Sequence, residues 1–252
     1  MGTWVVRIKK KTPKPSAKRP PLYFIGYRGT PPQSAELKTW YDLEYGGPLA
    51  VGVDEAASES WTLRHGPWSA HVVLPLPSSH SAGLKEQLAW EHESMGAVAP
   101  SVVSPRDMPD AVLFAARLAR GLTLLSQGTA YDLTTDTYLN PSDWRDRPLG
   151  SFSARDHVTV MEAEADDGRQ WLYSLGLKKF GLDEVEWFQP AGLPTAEARE
   201  QLTDLADELI RRGENPKVGS TFPVSGRLAR IVRHRTAAPS AAQIVLREVL
   251  IS

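Results

Sequence analysis

The chain has 252 residues, with 29 Lys and Arg against 30 Asp and Glu, and no cysteine. That length suits one large domain or two small ones, and a net charge of −1 calls for neither nucleic acid nor an anionic membrane as partner. The lack of cysteine removes disulfides, thiolate metal sites and cysteine nucleophiles together.

No signal-peptide apolar region follows Met1, and no apolar run approaches the ~20 residues that span a bilayer. These features predict a soluble, cytoplasmic protein. The first candidate strand is Trp4-Val5-Val6-Arg7-Ile8. A basic, proline-rich segment follows over residues 9–21, where each proline lacks the N–H that a ladder needs. Three short β-prone runs come next: Leu22 to Tyr27, Pro48 to Val53, and Ser60 to Leu63. Residues 1–66 therefore form an expected strand-rich segment, with the main domain over 67–252 or the whole as one continuous domain. Ala70 to Leu76 reads as a strand covered on both faces, and Leu84 to Met95 as a short helix.

The best helix opens at Asp107, the expected cap, with Pro109 in its first turn. Val112, Ala115, Ala116, Ala119 and Leu122 form its apolar stripe, and Gly128 is its expected stop. Thr129 to Leu133 reads as a strand, Thr134 to Asp136 as a turn, and Asn140-Pro141-Ser142-Asp143 as a capped short helix. Asp156 to Glu164 and Gln170 to Leu175 are strands joined by Asp166-Asp167-Gly168, a hairpin signal. Gly176 and Gly181 bracket a tight turn. In it Leu177 and Phe180 are expected to plug the sheet end, while Lys178 and Lys179 face water. After that turn Asp183, Val185 and Trp187 share one strand face, and Glu184, Glu186 and Phe188 the other. Ala198, Leu202, Leu205, Ala206 and Leu209 mark an amphipathic helix from Thr195 to Gly213. Leu228 to Arg233 and Gln243 to Leu250 are the last candidate strands.

Strands and helices do not alternate strictly. The order predicts an α+β fold, a largely antiparallel sheet with helices packed on one face. A strand-rich stretch followed by a long helix occurs at 60–127 and again at 157–212, which hints at a structural repeat.

The run from Val112 to about Thr221 resembles a bacterial family catalogued as domain of unknown function 4261. The resemblance rests on the helix Ala111 to Leu125, on Ala130-Tyr131-Asp132 and on Tyr138-Leu139. The segment from Ser174 to Glu186 and Gly219-Ser220-Thr221 complete it. It covers under half of the chain, and it implies no catalytic residues.

Chemical signatures are sparse. Six histidines occur, and His65, His71, His80 and His92 crowd one quarter of the chain. No two of them share helical ligand spacing, so no metal is expected and no cofactor is implied. Glu162 and Glu164 lie two apart on one predicted strand face, a spacing that suits paired-carboxylate chemistry on glycosidic bonds. His157 stands nearby in sequence. No serine elbow and no glycine-rich phosphate loop is present. The basic tail Arg227, Arg230, Arg233, His234 and Arg235 reads as an edge strand guarded by charge. Lys178, Lys179 and Phe180 are candidate binding residues. The leading expectation is a non-catalytic interaction module, of immunity or accessory type, whose partner is a protein rather than a membrane or a nucleic acid. The alternative is a hydrolase using Glu162 and Glu164 with His157.

Overall fold

The computed structural model describes residues 20–54, 57–87, 91–101, 103–189, 194–237 and 244–251. The Trp4 to Ile8 run and most of the basic 9–21 segment lie outside these residues.

Strands β1 (Tyr23–Tyr27), β2 (Ala50–Asp54), β3 (Ala57–His65), β4 (Trp68–Val73), β5 (Ser94–Pro100), β6 (Thr129–Asp132) and β7 (Thr137–Leu139) build a first sheet. Its order is β2-β3-β4-β5-β1-β6-β7 and every pairing is antiparallel. Alternation along β1 decides its two faces. Tyr23, Ile25 and Tyr27 enter the main core, whereas Phe24 joins Met95 and Ala97 in a separate small cluster. Helix α3 (Met108–Ser126) covers the main-core side, and α1 (Ser34–Tyr45) packs on α3. That packing needs Gly121, because a Cβ there would meet the Trp40 ring at 2.5 Å and Leu37 Cδ1 at 2.8 Å.

Strands β8 (Thr159–Glu164), β9 (Gln170–Leu175), β10 (Glu184–Phe188), β11 (Thr221–Val224), β12 (Arg227–Ala237) and β13 (Ile244–Ile251) build a second sheet, ordered β11-β12-β13-β10-β9-β8. Only the β10–β13 pairing is parallel. Helix α5 (Thr195–Arg212) lies on one face of it. Leu202, Leu205 and Leu209 meet Leu172, Val185, Trp187, Phe222 and Ile231 in the same continuous core that α3 covers.

The expected α+β class is therefore present, with its antiparallel strands divided between two sheets. Each sheet contains a three-strand meander followed by a long helix: β3-β4-β5 then α3, and β8-β9-β10 then α5. Gly66, the end of the expected N-terminal segment, lies in the tip of the β3–β4 hairpin.

Other local expectations are met or revised for identifiable reasons. Asn140 caps α4 (Pro141–Arg145), its Oδ1 accepting from the Ser142 and Asp143 amides at 2.9 and 3.2 Å. Asp107 does sit at the N-cap of α3, but its carboxylate accepts from Ser104 Oγ at 2.7 Å rather than from the helix. Helix α3 ends on Gln127, which adopts the left-handed conformation (φ 49°). Gly128 serves another need, because a Cβ there would lie 2.1 Å from Gly26 O of β1. The helix read over Leu84 to Met95 is displaced. Helix α2 spans Ser78–Gln87, and Ser94 and Met95 already belong to β5.

Candidate functional site

Two polar constellations stand out, one sealed and one open. The sealed one lies where the two sheets meet. Gly176 and Gly181 take φ values of 118° and 76° around a single 3-10 turn, Leu177–Phe180. Glu184 closes this turn from beneath. Its carboxylate accepts from the Gly176 amide at 2.9 Å, Leu177 at 3.2 Å, Lys178 at 3.1 Å and Ser174 Oγ at 2.7 Å. Burial pushes Glu184 up to about 7, opposed by those four donors.

Lys179 does not face water. It turns inward, fully buried, and donates to Asp132 Oδ2 at 2.5 Å and to the His157 carbonyl at 2.8 Å. The opposite oxygen of Asp132 accepts from the amides of Thr134 and Thr135. The turn geometry explains the inversion: an inward ammonium is tolerable only against a carboxylate already fixed by backbone donors. Lys178 stays exposed, while Leu177 and Phe180 plug the sheet end as expected. Of the three candidate binding residues, only Lys178 reaches solvent.

His157 is buried beside this pair. Its ring stacks on Phe152 at 5.2 Å and meets the Phe180 ring edge-on. Neither ring nitrogen has a hydrogen-bond partner. Burial, then the charges of Lys179 and Arg147, hold it well below the ordinary histidine range. It is a neutral core histidine. Glu162 and Glu164 lie instead on the exposed strand β8. Glu162 is bound by Arg199 Nη2 of α5 at 2.9 Å. Among the described residues no hydrogen bond or ion pair links His157 to either carboxylate.

The open constellation occupies the outer face of the second sheet, opposite α5. Strand parity puts Met161, Trp171, Tyr173, Glu186, Phe188, Glu248 and Leu250 on this face. Arg235 pairs with Leu246, and Arg233 with Glu248. A bulge between Ile231 and Arg233 then brings Arg230, opposite Leu250, to the same side. Glu186 is fully buried at its centre. It accepts from Arg235 Nε at 2.7 Å, from Arg235 Nη2 at 2.5 Å and from Trp171 Nε1 at 2.9 Å. That bidentate pairing raises Arg235 further above the ordinary range.

The locked guanidinium lies over the rings of Trp171 at 5.2 Å and Phe188 at 5.6 Å. Arg169, held by Asp167, covers Phe188 at 4.7 Å. These side chains line a cleft of about 320 Å³. Beyond it, Leu250 is 54% exposed, Leu228 48% and Met161 37%. Among the described residues no helix packs on this face. The sequence signal for it was the spacing of Arg233 and Arg235, two apart on one strand. The tail is expected to be a charge-guarded edge; β11 flanks β12 only up to Ile231, and from Arg233 to Ala237 the strand pairs with β13 alone. Arg230, Arg233 and Arg235 project onto the open face, whereas Arg227 turns to Glu197 of α5 on the other side.

Elsewhere, His71 on β4 bonds Thr62 Oγ1 through Nδ1 at 3.2 Å, and His65 packs against Tyr41 and Phe114. Among the described residues no group of three or more metal-ligating side chains gathers, and no helix is long and apolar enough to cross a membrane. In comparisons with known proteins, no family model, no curated protein and no solved structure matches this chain.

Proposed function

We propose that the protein is a non-catalytic interaction module, of immunity or accessory type, that binds another protein through the outer face of its second sheet. The observation that carries this reading is the band formed by Met161, Trp171, Phe188, Leu250 and Leu228, with Arg230, Arg233 and Arg235 among them. Tryptophan and arginine are the side chains that dominate binding energy at protein interfaces. Here Arg235 is already immobilised by Glu186, so little rotamer freedom is left to lose on association. Nucleic acid is a poorer fit. The ring faces that bases would stack on are covered by guanidinium groups, and Arg169, Arg233 and Arg235 are each paired with a carboxylate.

The test starts from affinity capture in the native host. The captured protein is purified and its affinity measured by calorimetry against wild type, Leu250→Asp and the double variant Leu228→Asp/Leu250→Asp. A loss of at least tenfold in each variant, with unchanged thermal unfolding, supports the face. Equal affinities for all three proteins would rule it out.

A further inference from the structure

We infer that the partner engages this module by adding an extended, basic strand to the free edge of β8. The inference rests on the protein-binding reading and names the chemistry of the partner. Among the described residues the two sheets end on four strands, and β12 from Arg233 to Ala237 is a further stretch with no described strand on its β11 side, bent by the bulge at Ile231/Arg233 and guarded by Arg233 and Arg235. Edge β7 is three residues long, β11 contains Pro223 and β2 shifts register between Val53 and Asp54. Each of those features blunts an edge against pairing. Strand β8 has none of them: its six residues run in unbroken register against β9, and no described strand pairs on its other side.

Charge selects what the edge accepts. Glu162 and Glu164 project from one face of β8, and Asp166 follows in the hairpin turn. Glu162 is partly answered by Arg199 and Asp166 lies within electrostatic reach of Arg235, but the Glu164 carboxylate has no hydrogen-bond or ion-pair partner among the described residues. A second copy of this chain pairing through β8 would bring these carboxylates opposite their counterparts, and like charges directly opposite are destabilising. A strand with Lys or Arg at alternate positions would meet them favourably while its backbone completed the ladder. Its other side chains would then extend the outer face beside Met161 and Trp171.

The probe is a capped peptide of alternating lysine and valine, about eight residues long to cover a six-residue edge, with a glutamate–valine peptide as its counterpart. Binding is read by hydrogen exchange of the β8 amides and by titration. The lysine peptide is expected to protect β8 amides and to bind at least tenfold tighter than the glutamate peptide. In Glu162→Lys/Glu164→Lys that preference is expected to reverse. Equal binding of both peptides, binding without β8 protection, or β8 edge amides already protected in the free protein would each overturn the inference. Leu250→Asp separates the two readings. If the native partner is lost on Leu250→Asp while the lysine peptide fails on wild type, the face stands and strand addition falls. If the peptide protects β8 but the partner ignores Leu250→Asp, the face falls instead.

Discussion

Lys179 Nζ lies 2.5 Å from Asp132 Oδ2, both groups buried, and this single ion pair ties the turn after β9 to the end of β6. Removing one partner strands the other charge away from water, which costs ~3–5 kcal/mol. Lys179→Met and Asp132→Asn are therefore expected to lower unfolding free energy by about that amount in urea titrations. The double change Lys179→Met/Asp132→Asn should cost clearly less than the sum of the two single changes. Strict additivity would show that the pair does not act as a unit.

The two glycines flanking the same turn are expected to differ. A side chain at Gly176 suffers the positive φ and would also place a Cβ 2.3 Å from the His157 carbonyl. At Gly181 the φ is positive but nothing lies within 4 Å. Gly181→Ala should cost ~1 kcal/mol and Gly176→Ala ~3 kcal/mol or more. Equal losses in chemical denaturation would mean that the close approach to His157 does not matter.

Helix packing offers a third measurement. Leu122 and Leu205 are almost completely buried under the two long helices, and truncating either to Ala should cost ~2–5 kcal/mol. Gly121→Ala is the opposite change, an overpacking against Trp40, expected at ~1–3 kcal/mol. Pairing it with Trp40→Leu should restore part of the loss, and no recovery would show that Trp40 is not the obstacle.

The sealed site also predicts a pH response. His157 has its folded pKa depressed below the ordinary 6.5. As pH falls below that value the unfolded chain takes up a proton that the folded one refuses, so stability is lost on acidification. Glu184 acts with the reverse sign. Its folded value is raised from 4.5 to about 7, so its contribution is present below 4.5 and is lost as pH rises to about 7. Each contributes up to about 1.4 kcal/mol per pH unit within its window. Because the two slopes oppose each other between pH 4.5 and 6.5, His157→Leu should tilt stability toward a fall with rising pH relative to wild type, and Glu184→Gln should tilt it toward a rise. Unfolding curves for both variants that stay parallel to wild type across that range would contradict the assignment.

Local chemistry made much of this fold legible. The Asn140 cap, the Asp-Gly hairpin at 166–168 and the stripes of α3 and α5 depend on residues a few positions apart. Strand β5 was hidden because Gly96, Ala97 and Ala99 have little β-propensity of their own. It exists because β4 and β1 flank it, and Gly96 makes room for Leu74, whose Cδ1 would lie 2.3 Å from an added Cβ. Helix α1 buries only Leu37 and Tyr41, too thin a stripe to register. The inward turn of Lys179 depends on a carboxylate 47 residues away. The gathering of Arg230 with Arg233 depends on a bulge. Neither cause is visible in the neighbouring sequence.

The parallel pairing of β10 with β13 bears on how the chain assembles during synthesis. Every strand of the first sheet lies between residues 23 and 139, so that half can close while the ribosome is still working. The second sheet cannot. Its central position belongs to Ile244–Ile251, the last described strand to be made. Until then β8-β9-β10 and β11-β12 are separate pieces, with Val185 and Ile231 awaiting the strand that joins them. A nascent chain would thus carry a finished half and a waiting half, and the waiting half bears the face assigned to the partner.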